Sequence, residues 1–376
     1  MDPAKPSLDL VRSLTDEHVL RALMRRRRLT RSELAHEIGI SKPTAGESVR
    51  RLTERGLVVD TGERTPGGRG RGRVGSYYAL AADVGTALAV SITPEGVVAE
   101  SVDVYGGTIA RTHQAIDRPA RPAQVAAALQ TAAAEVERAT SAPPRLAVVS
   151  AADPVDRATG RLIQLPDAPF LVGDLDPVAI LAPHVRGPVI VDNDVNWAAQ
   201  AERDDAGSDS LADFAYLHLG EGLGCAIISD GEIRRGSTGL AGEIAHIVTA
   251  GPQGRAIRLI DVFGELHLRQ PGSTAIDVER LLSSCADSGR EAVAARQALG
   301  NAVGGALAAI VALADPERVI IGGSWGPALL DSIRGAVSGM PRQPSIQAAK
   351  LTGDPGLIGA RADSLNRLHA AIAADS

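Results

Sequence analysis

The chain has 376 residues, long enough for two or three domains, with 44% apolar and 2% aromatic residues and a formal net charge of −6. Residues 1–80 carry 16 Lys and Arg against 10 Asp and Glu and the remainder 23 against 35, so a basic head precedes an acidic body and polyanion contact is expected at one end only. Cys225 and Cys285 stand far apart with no Cys-x-x-Cys pair, the start Met-Asp-Pro-Ala-Lys has no apolar segment for secretion, and no apolar run approaches the length that spans a bilayer; the expectation is a soluble chain in a reducing cytoplasm, without a membrane partner.

Residues 29–56 read as a helix-turn-helix. Thr30 followed three residues later by Glu33 is a capping box, Leu34, Ala35 and Ile38 give the helix one apolar face, and Gly39 ends it. Ser41 caps the next helix, whose first turn tolerates Pro43 because that amide would have no partner, and Ala45, Val49 and Leu52 form its buried stripe. The opposite face carries Thr44, Glu47, Ser48 and Arg51, flanked by Lys42 and Arg50. Hydroxyls, a carboxylate able to accept from cytosine and arginines for guanine or phosphate suit a major-groove recognition helix. An upstream helix with Val19, Leu20, Leu23 and Met24, a strand at Leu57, Val58 and Val59, and the Gly/Arg run 65–73 complete a winged helix-turn-helix, with Arg69, Arg71 and Arg73 suited to phosphates or a minor groove. A solvated helix face and a plain linker are the alternatives. The ordered succession of parts argues against them.

The body alternates strand and helix signals. Strand formers run from Ser76 to Ile92 around a Gly-Thr turn, then through 97–104 and 108–116; residues 124–139 read as an amphipathic helix and 146–150 as a buried strand. The second half repeats the scheme, with strands at 215–219, at 224–229 and after Gly231, a long Ala-rich helix over about 291–313 and a short apolar strand at 318–321. Two such halves predict a two-lobed α/β body with a cleft between the lobes. Four motifs fall where the cleft needs them: Asp83-Val-Gly-Thr86 as a phosphate-side turn, Asn193 and Asp194 at the end of an apolar strand, the Gly-rich hairpin start 220–224, and Gly239 to His246, which places Glu243 and His246 three apart.

Taken singly these signals are weak, but their order is specific, and the chain resembles the ROK family of sugar kinases and sugar-responsive transcription factors. The resemblance rests on the winged helix, Asp83 to Thr86, Pro154-Val-Asp156, Asp192-Asn-Asp-Val-Asn196, Gly239 to His246 and Ile321-Gly-Gly-Ser324. It implies an actin-like, hexokinase-like (ribonuclease H-like) body and divides the chain into a head at 1–76, a first lobe at 77–190 and a second lobe at 191–376. It also implies that Asn193 and Asp194 bind a sugar, with Asp194 the general base of family kinases, and that Glu243 and His246 contact the sugar.

Three departures qualify those roles. The family's Asp-x-Gly-Gly-Thr is matched to Asp83-Val-Gly-Thr-Ala87, one Gly short, and its Gly-Thr-Gly loop is Gly220-Glu221-Gly222, where a carboxylate would repel a phosphate charge by about 4 kcal/mol at ~4 Å and an effective dielectric of ~20. The three cysteines that complete the family's zinc site are absent from residues 247–264, so no metal and no cofactor is expected. The family's Pro-Asn sugar contact is Pro166-Asp167, and Trp197 replaces a small residue. The resulting expectation is a DNA-binding regulator, a repressor and not an enzyme, with a vestigial base at Asp194. As a homodimer or homotetramer it would bind an inverted-repeat operator under control of a small, sugar-like effector. The alternatives are a pocket that has drifted away from sugars and, less favoured, an active ATP-dependent sugar kinase.

Overall fold

The computed structural model describes residues 8–66, 74–165, 169–171, 173–207 and 211–375. The head comprises α1 (Leu8–Arg26), β1 (Arg28–Thr30), α2 (Arg31–Ile38), α3 (Lys42–Glu54), β2 (Val58–Arg64) and β3 (Ser76–Leu80). Both capping signals act as written: Thr30 accepts from the Glu33 amide while Glu33 accepts from the Thr30 amide, Gly39 takes the left-handed C-cap at φ 71°, and Ser41 accepts from the Thr44 amide. The three strands form an antiparallel sheet in the order β1-β3-β2. Ser76–Leu80 therefore pairs within the head, whose sheet runs four residues past the expected boundary at 76.

The first lobe holds β4 (Ala87–Thr93), β5 (Gly96–Val102), β6 (Thr108–Gln114), α4 (Pro122–Arg138), β7 (Leu146–Ala151), α5 (Pro177–Leu181) and β8 (Val189–Asn193), and α6 (Asp194–Ala206) follows. The second holds β9 (Phe214–Leu219), β10 (Leu223–Ser229), β11 (Glu232–Ile233), β12 (Val248–Ala250), β13 (Ala256–Arg258), α7 (Leu259–Glu265), α8 (Val278–Ala286), α9 (Arg290–Ala314), β14 (Arg318–Gly322), α10 (Leu330–Val337) and β15 (Ser345–Ala348), and α11 (Pro355–Ala374) closes the chain. The main sheets share one plan: β6-β5-β4-β7-β8 and β11-β10-β9-β14-β15, each with an antiparallel meander on one side and parallel strands on the other. The parallel strands are covered on both faces and so read as unbroken apolar runs; all six residues of β7 are buried.

Two features differ from the sequence reading. Helix α11 packs on β4, β7 and α6, so the chain's end returns to the first lobe and does not belong to the second. Helix α9, at 25 residues, is long and apolar enough by composition to cross a membrane, contrary to the expectation that no run approached that length. It is a core helix: Leu299, Val303, Leu307 and Ile310 are buried in the second lobe against α7, α8 and α10. A separate apolar cluster joins the head to the body, uniting Val19, Leu23, Leu34 and Leu52 with Val104, Leu146, Trp197, Leu368 and Ile372. Trp197 lies within that cluster and donates to the Val149 carbonyl at 3.0 Å; it packs beneath the cleft.

Candidate functional site

The parallel strands of both sheets end at the seam between the lobes, where open α/β sheets bind ligands. A cleft of about 970 Å³ lies there, lined by Thr93 beyond β4, Asp153 beyond β7, Asn193 and Asp194 at β8, Gly220 beyond β9 and Gly322 at β14. Glu243, His246, His218, Ser324, Asp354 and Gly356 complete its polar wall. Four residues singled out from sequence, Asn193, Asp194, Glu243 and His246, thus line one cavity; Asp167 lies outside the described residues.

Asn193 and Asp194 have different work. The Asn193 side chain caps α6 by accepting from the Val195 amide at 3.0 Å and donates to the Asp153 carbonyl at 3.2 Å, so it fixes the cleft floor. The Asp194 carboxyl is pushed up to about 8, first by burial and then by the charge of Asp354, with Asp153 and Glu243 adding to it. Burial also lifts Glu243 to about 7. Asp354 caps α11, accepting from the Leu357 amide at 2.9 Å and the Ser91 hydroxyl at 2.7 Å. Burial lowers the His218 ring, which favours its neutral form.

The Glu243 loop is held by backbone fit. Gly242 has φ +99°, and a Cβ there would stand 1.8 Å from the Cys225 carbonyl oxygen, so only glycine lets the loop close on β10. The Thr238 carbonyl accepts from the Arg157 amide at 2.9 Å, tying the loop to the first lobe. Glu243 precedes a short 3-10 turn, Ile244–His246, of which His246 is the last residue. Where related proteins would carry zinc, β12 and β13 pair as a hairpin. The buried Thr249 hydroxyl donates to the Ala302 carbonyl at 2.8 Å, and Asp261 accepts from Arg258 at 2.7 Å and Arg269 at 3.0 Å. Hydrogen bonds and ion pairs thus prop this loop, and among the described residues no three His, Cys, Asp or Glu side chains converge as a metal site.

The phosphate side differs from expectation. Asp83–Thr86 precedes β4, at the opposite end of that strand from the cleft, with Val84 buried in the head-to-body cluster and its carbonyl accepting from Arg145 at 2.8 Å. It is no phosphate turn; the turn facing the cleft is Thr93-Pro94-Glu95, between β4 and β5. Glu95 and, across the seam, Glu221 are bridged by Arg118, at 3.3 Å and 2.8 Å. The Glu221 charge is therefore countered, and the repulsion argued from sequence gives way to occupation: an interlobe ion pair sits at the Gly-Glu-Gly turn.

On the head, Lys42, Thr44, Glu47 and Arg50 are exposed along α3. Arg50 is braced by Glu47 and Glu54, at 2.5 Å each. Ser48 is a correction: it is fully buried and donates to Asp16 of α1. Arg51 is another, a part-buried brace whose guanidinium donates to both Asp16 oxygens, at 3.0 and 2.6 Å. The helix turns a narrower face to solvent than its sequence spacing implied, because α1 covers the Ser48 side. Arg69, Arg71 and Arg73 lie outside the described residues, between β2 and β3.

Sequence reading missed Asp153, Glu95, Arg118 and Asp354. The cue that selected Asn193 and Asp194, a polar residue just past an apolar strand, applies equally to Asp153 after Leu146–Ala151, and Asp354-Pro-Gly is a helix start. Arg118 had no local signal, since its role depends on the opposite lobe.

A winged head on a two-lobed body with matching mixed sheets and a seam cleft defines the class. Residues 103–257 match the ROK family model and residues 12–59 a winged helix-turn-helix DNA-binding model. The chain carries a ROK family domain behind a winged helix-turn-helix. It is 34% identical over 180 residues to the bifunctional enzyme NanE/NanK of Brucella suis biovar 1 (strain 1330), a match covering 46% of this chain and 34% of that protein, so the chain spans about a third of the length of this relative. It is 21% identical over 355 residues, 86% of this chain and 87% of the other, to a putative xylose repressor of Caldicellulosiruptor sp. (strain Rt8B.4). The crystal structure of a ROK family transcriptional regulator, a homologue of the E. coli MLC protein, superposes with TM-score 0.66 at 19% identity, covering 97% of this chain and all of that one.

Proposed function

We propose that this protein is a DNA-binding transcriptional regulator, a repressor, whose operator affinity is set by a small polyol, a sugar or sugar derivative, bound between the lobes. The observation that carries this reading is the course of α11. Its first residues, with Asp354, line the cleft, and about 20–26 Å further on Leu368 and Ile372 are buried with Val19, Leu23 and Leu52 of the head. A ligand that draws the lobes together acts on the start of a helix whose end packs on α1. It can shift operator affinity by no more than its own preference between the two lobe arrangements. Lys42, Thr44, Glu47 and Arg50, with the wing arginines Arg69, Arg71 and Arg73, form the DNA-facing set, and an inverted repeat read by a homodimer or homotetramer is the corresponding operator. Cys225 and Cys285 are both free and buried, in keeping with a reducing cytoplasm.

One observation favours a sensor over a kinase: Arg118 fills the space between Glu95 and Glu221 on the phosphate side. The kinase reading draws on the 34% identity to NanE/NanK and the presence of Asp194. Coupled ATP-consumption assays across neutral hexoses, amino sugars and their phosphates separate the two, with Asp194→Asn as control. The sensor reading expects no turnover above that control alongside a thermal shift with one sugar class. Turnover abolished by Asp194→Asn would replace it with the kinase.

A further inference from the structure

Among the described residues six carboxyl groups line the cleft: Glu95, Asp153, Asp194, Glu221, Glu243 and Asp354. Arg118 answers Glu95 and Glu221 at one end, and Asp354 is engaged by Ser91 and the α11 amides. The deep end is different. Asp153 is 1% exposed, and neither of its oxygens accepts a hydrogen bond of ordinary geometry; the Leu171 amide offsets its burial only in part. It stands at the carboxyl end of β7 with Glu243 facing it from the second lobe and Asp194 from α6, each within electrostatic reach. Among the described lining residues the cationic side chain is Arg111, which is paired with the buried Glu100. A buried acceptor so weakly partnered costs stability unless something pairs with it. Among the described residues the acids do not converge as a metal site, which argues against a divalent ion. A cation on a small organic frame, with hydroxyls for the remaining polar wall, fits this distribution.

We propose that the cleft selects a polyol carrying an ammonium group, an amino sugar or aminocyclitol, and that Asp153 is the residue that receives the cation. This rests on the reading of the cleft as the effector site and narrows it. Neutral hexoses offer Asp153 a hydroxyl donor but no charge, N-acylated sugars likewise offer no charge, and phosphorylated sugars bring an anion to a cluster of acids. Burial raises Asp153 to about 7, with Asp194 and Glu243 near it also raised, so the empty cleft holds protons at neutral pH that an arriving ammonium displaces. His113, His218, His246, Tyr216 and Cys225 also line this cavity, and burial disfavours the charged forms of His218, Tyr216 and Cys225.

The test is calorimetric titration and thermal shift on the full chain with glucosamine, galactosamine and mannosamine, set against the parent hexoses, the N-acetyl sugars and the hexose 6-phosphates. A free amine is expected to bind at least tenfold tighter than its parent hexose, with heats in two buffers at pH 7 revealing proton release. Asp153→Asn, nearly isosteric, and Asp153→Gly are each expected to cut that amine-to-hexose ratio by tenfold or more. Should either variant fold poorly, the amine-to-hexose ratio of the wild-type chain still decides the ligand class. Tighter binding of neutral, acylated or phosphorylated sugars, or a ratio unmoved by Asp153→Asn, would overturn this inference and leave the effector cleft standing. No binding by any probe, together with a Glu243→Ala variant indistinguishable in operator affinity, would remove both.

Discussion

Asp16 is 4% exposed beneath α3, held by Ser48 and by both arms of Arg51. Removing one partner of a buried ion pair strands a charge, so Arg51→Ala is expected to cost about 3–5 kcal/mol of stability, measurable by denaturant titration, quite apart from any contact with DNA. Lys42→Ala and Thr44→Ala, on the exposed side, are expected to leave the melting temperature near that of the wild type and weaken operator binding; a loss of stability in these instead would place them in the fold. Asp153 supplies a second prediction. Its proton affinity is raised on folding, so the stability it confers is present below about pH 4 and is lost as pH climbs through about 7, up to about 4 kcal/mol at 1.36 kcal/mol per pH unit. Unfolding measured at pH 5 and pH 8 should show the gap between Asp153→Asn and wild type opening in favour of the variant at pH 8. At this scale the sequence spoke clearly where a role is local: Thr30, Glu33, Gly39 and Ser41 signal their caps within four residues. It misdirected for Ser48 and Arg51, because periodicity gives the angle of a side chain around α3 but not where α1 will cover it.

Among the elements, strands and helices of the body were legible because buried parallel strands read as continuous apolar runs and α4 and α9 exceed strand length. The Asp83–Thr86 turn was misread because a Gly-Thr pair after strand formers fits either end of a hairpin; only the pairing of β3 with the head shows that the lobe's first strand begins at Ala87. The β12–β13 hairpin was hidden for a related reason, since its prop, Thr249 on Ala302, is a contact across 53 positions. Thr249→Val leaves the Ala302 carbonyl without that donor, and the expected outcome is a cost of about 1–3 kcal/mol with weaker ligand binding at the Glu243 loop and unaltered operator affinity without ligand, read by anisotropy. At the wing, Arg71→Ala should lower the slope of log affinity against log salt by about 1 without changing sequence preference. An unchanged slope would take Arg71 off the phosphate backbone.

For the molecule as a whole, α11 was the element least visible in advance, because sequence order placed it with the second lobe while packing returns it to the first. Its crossing with α6 is so close that a Cβ at Gly359 would lie 2.1 Å from the Trp197 carbonyl oxygen, and the far end joins the head's core. That continuity makes the helix a physical link between the cleft and the head. Leu368→Ala, at full burial, is expected to cost about 2–5 kcal/mol and to shrink the ligand-dependent change in operator affinity; full retention of that change would send the coupling elsewhere.

The most direct measurement is selection of duplexes from a random library by the full chain, followed by anisotropy on the enriched sequence with and without the sugars that shift its melting. The account predicts an inverted repeat whose affinity changes with ligand by about 5–150-fold, as a coupling of about 1–3 kcal/mol gives. No enriched sequence, or an operator whose affinity no cleft ligand alters, would contradict it.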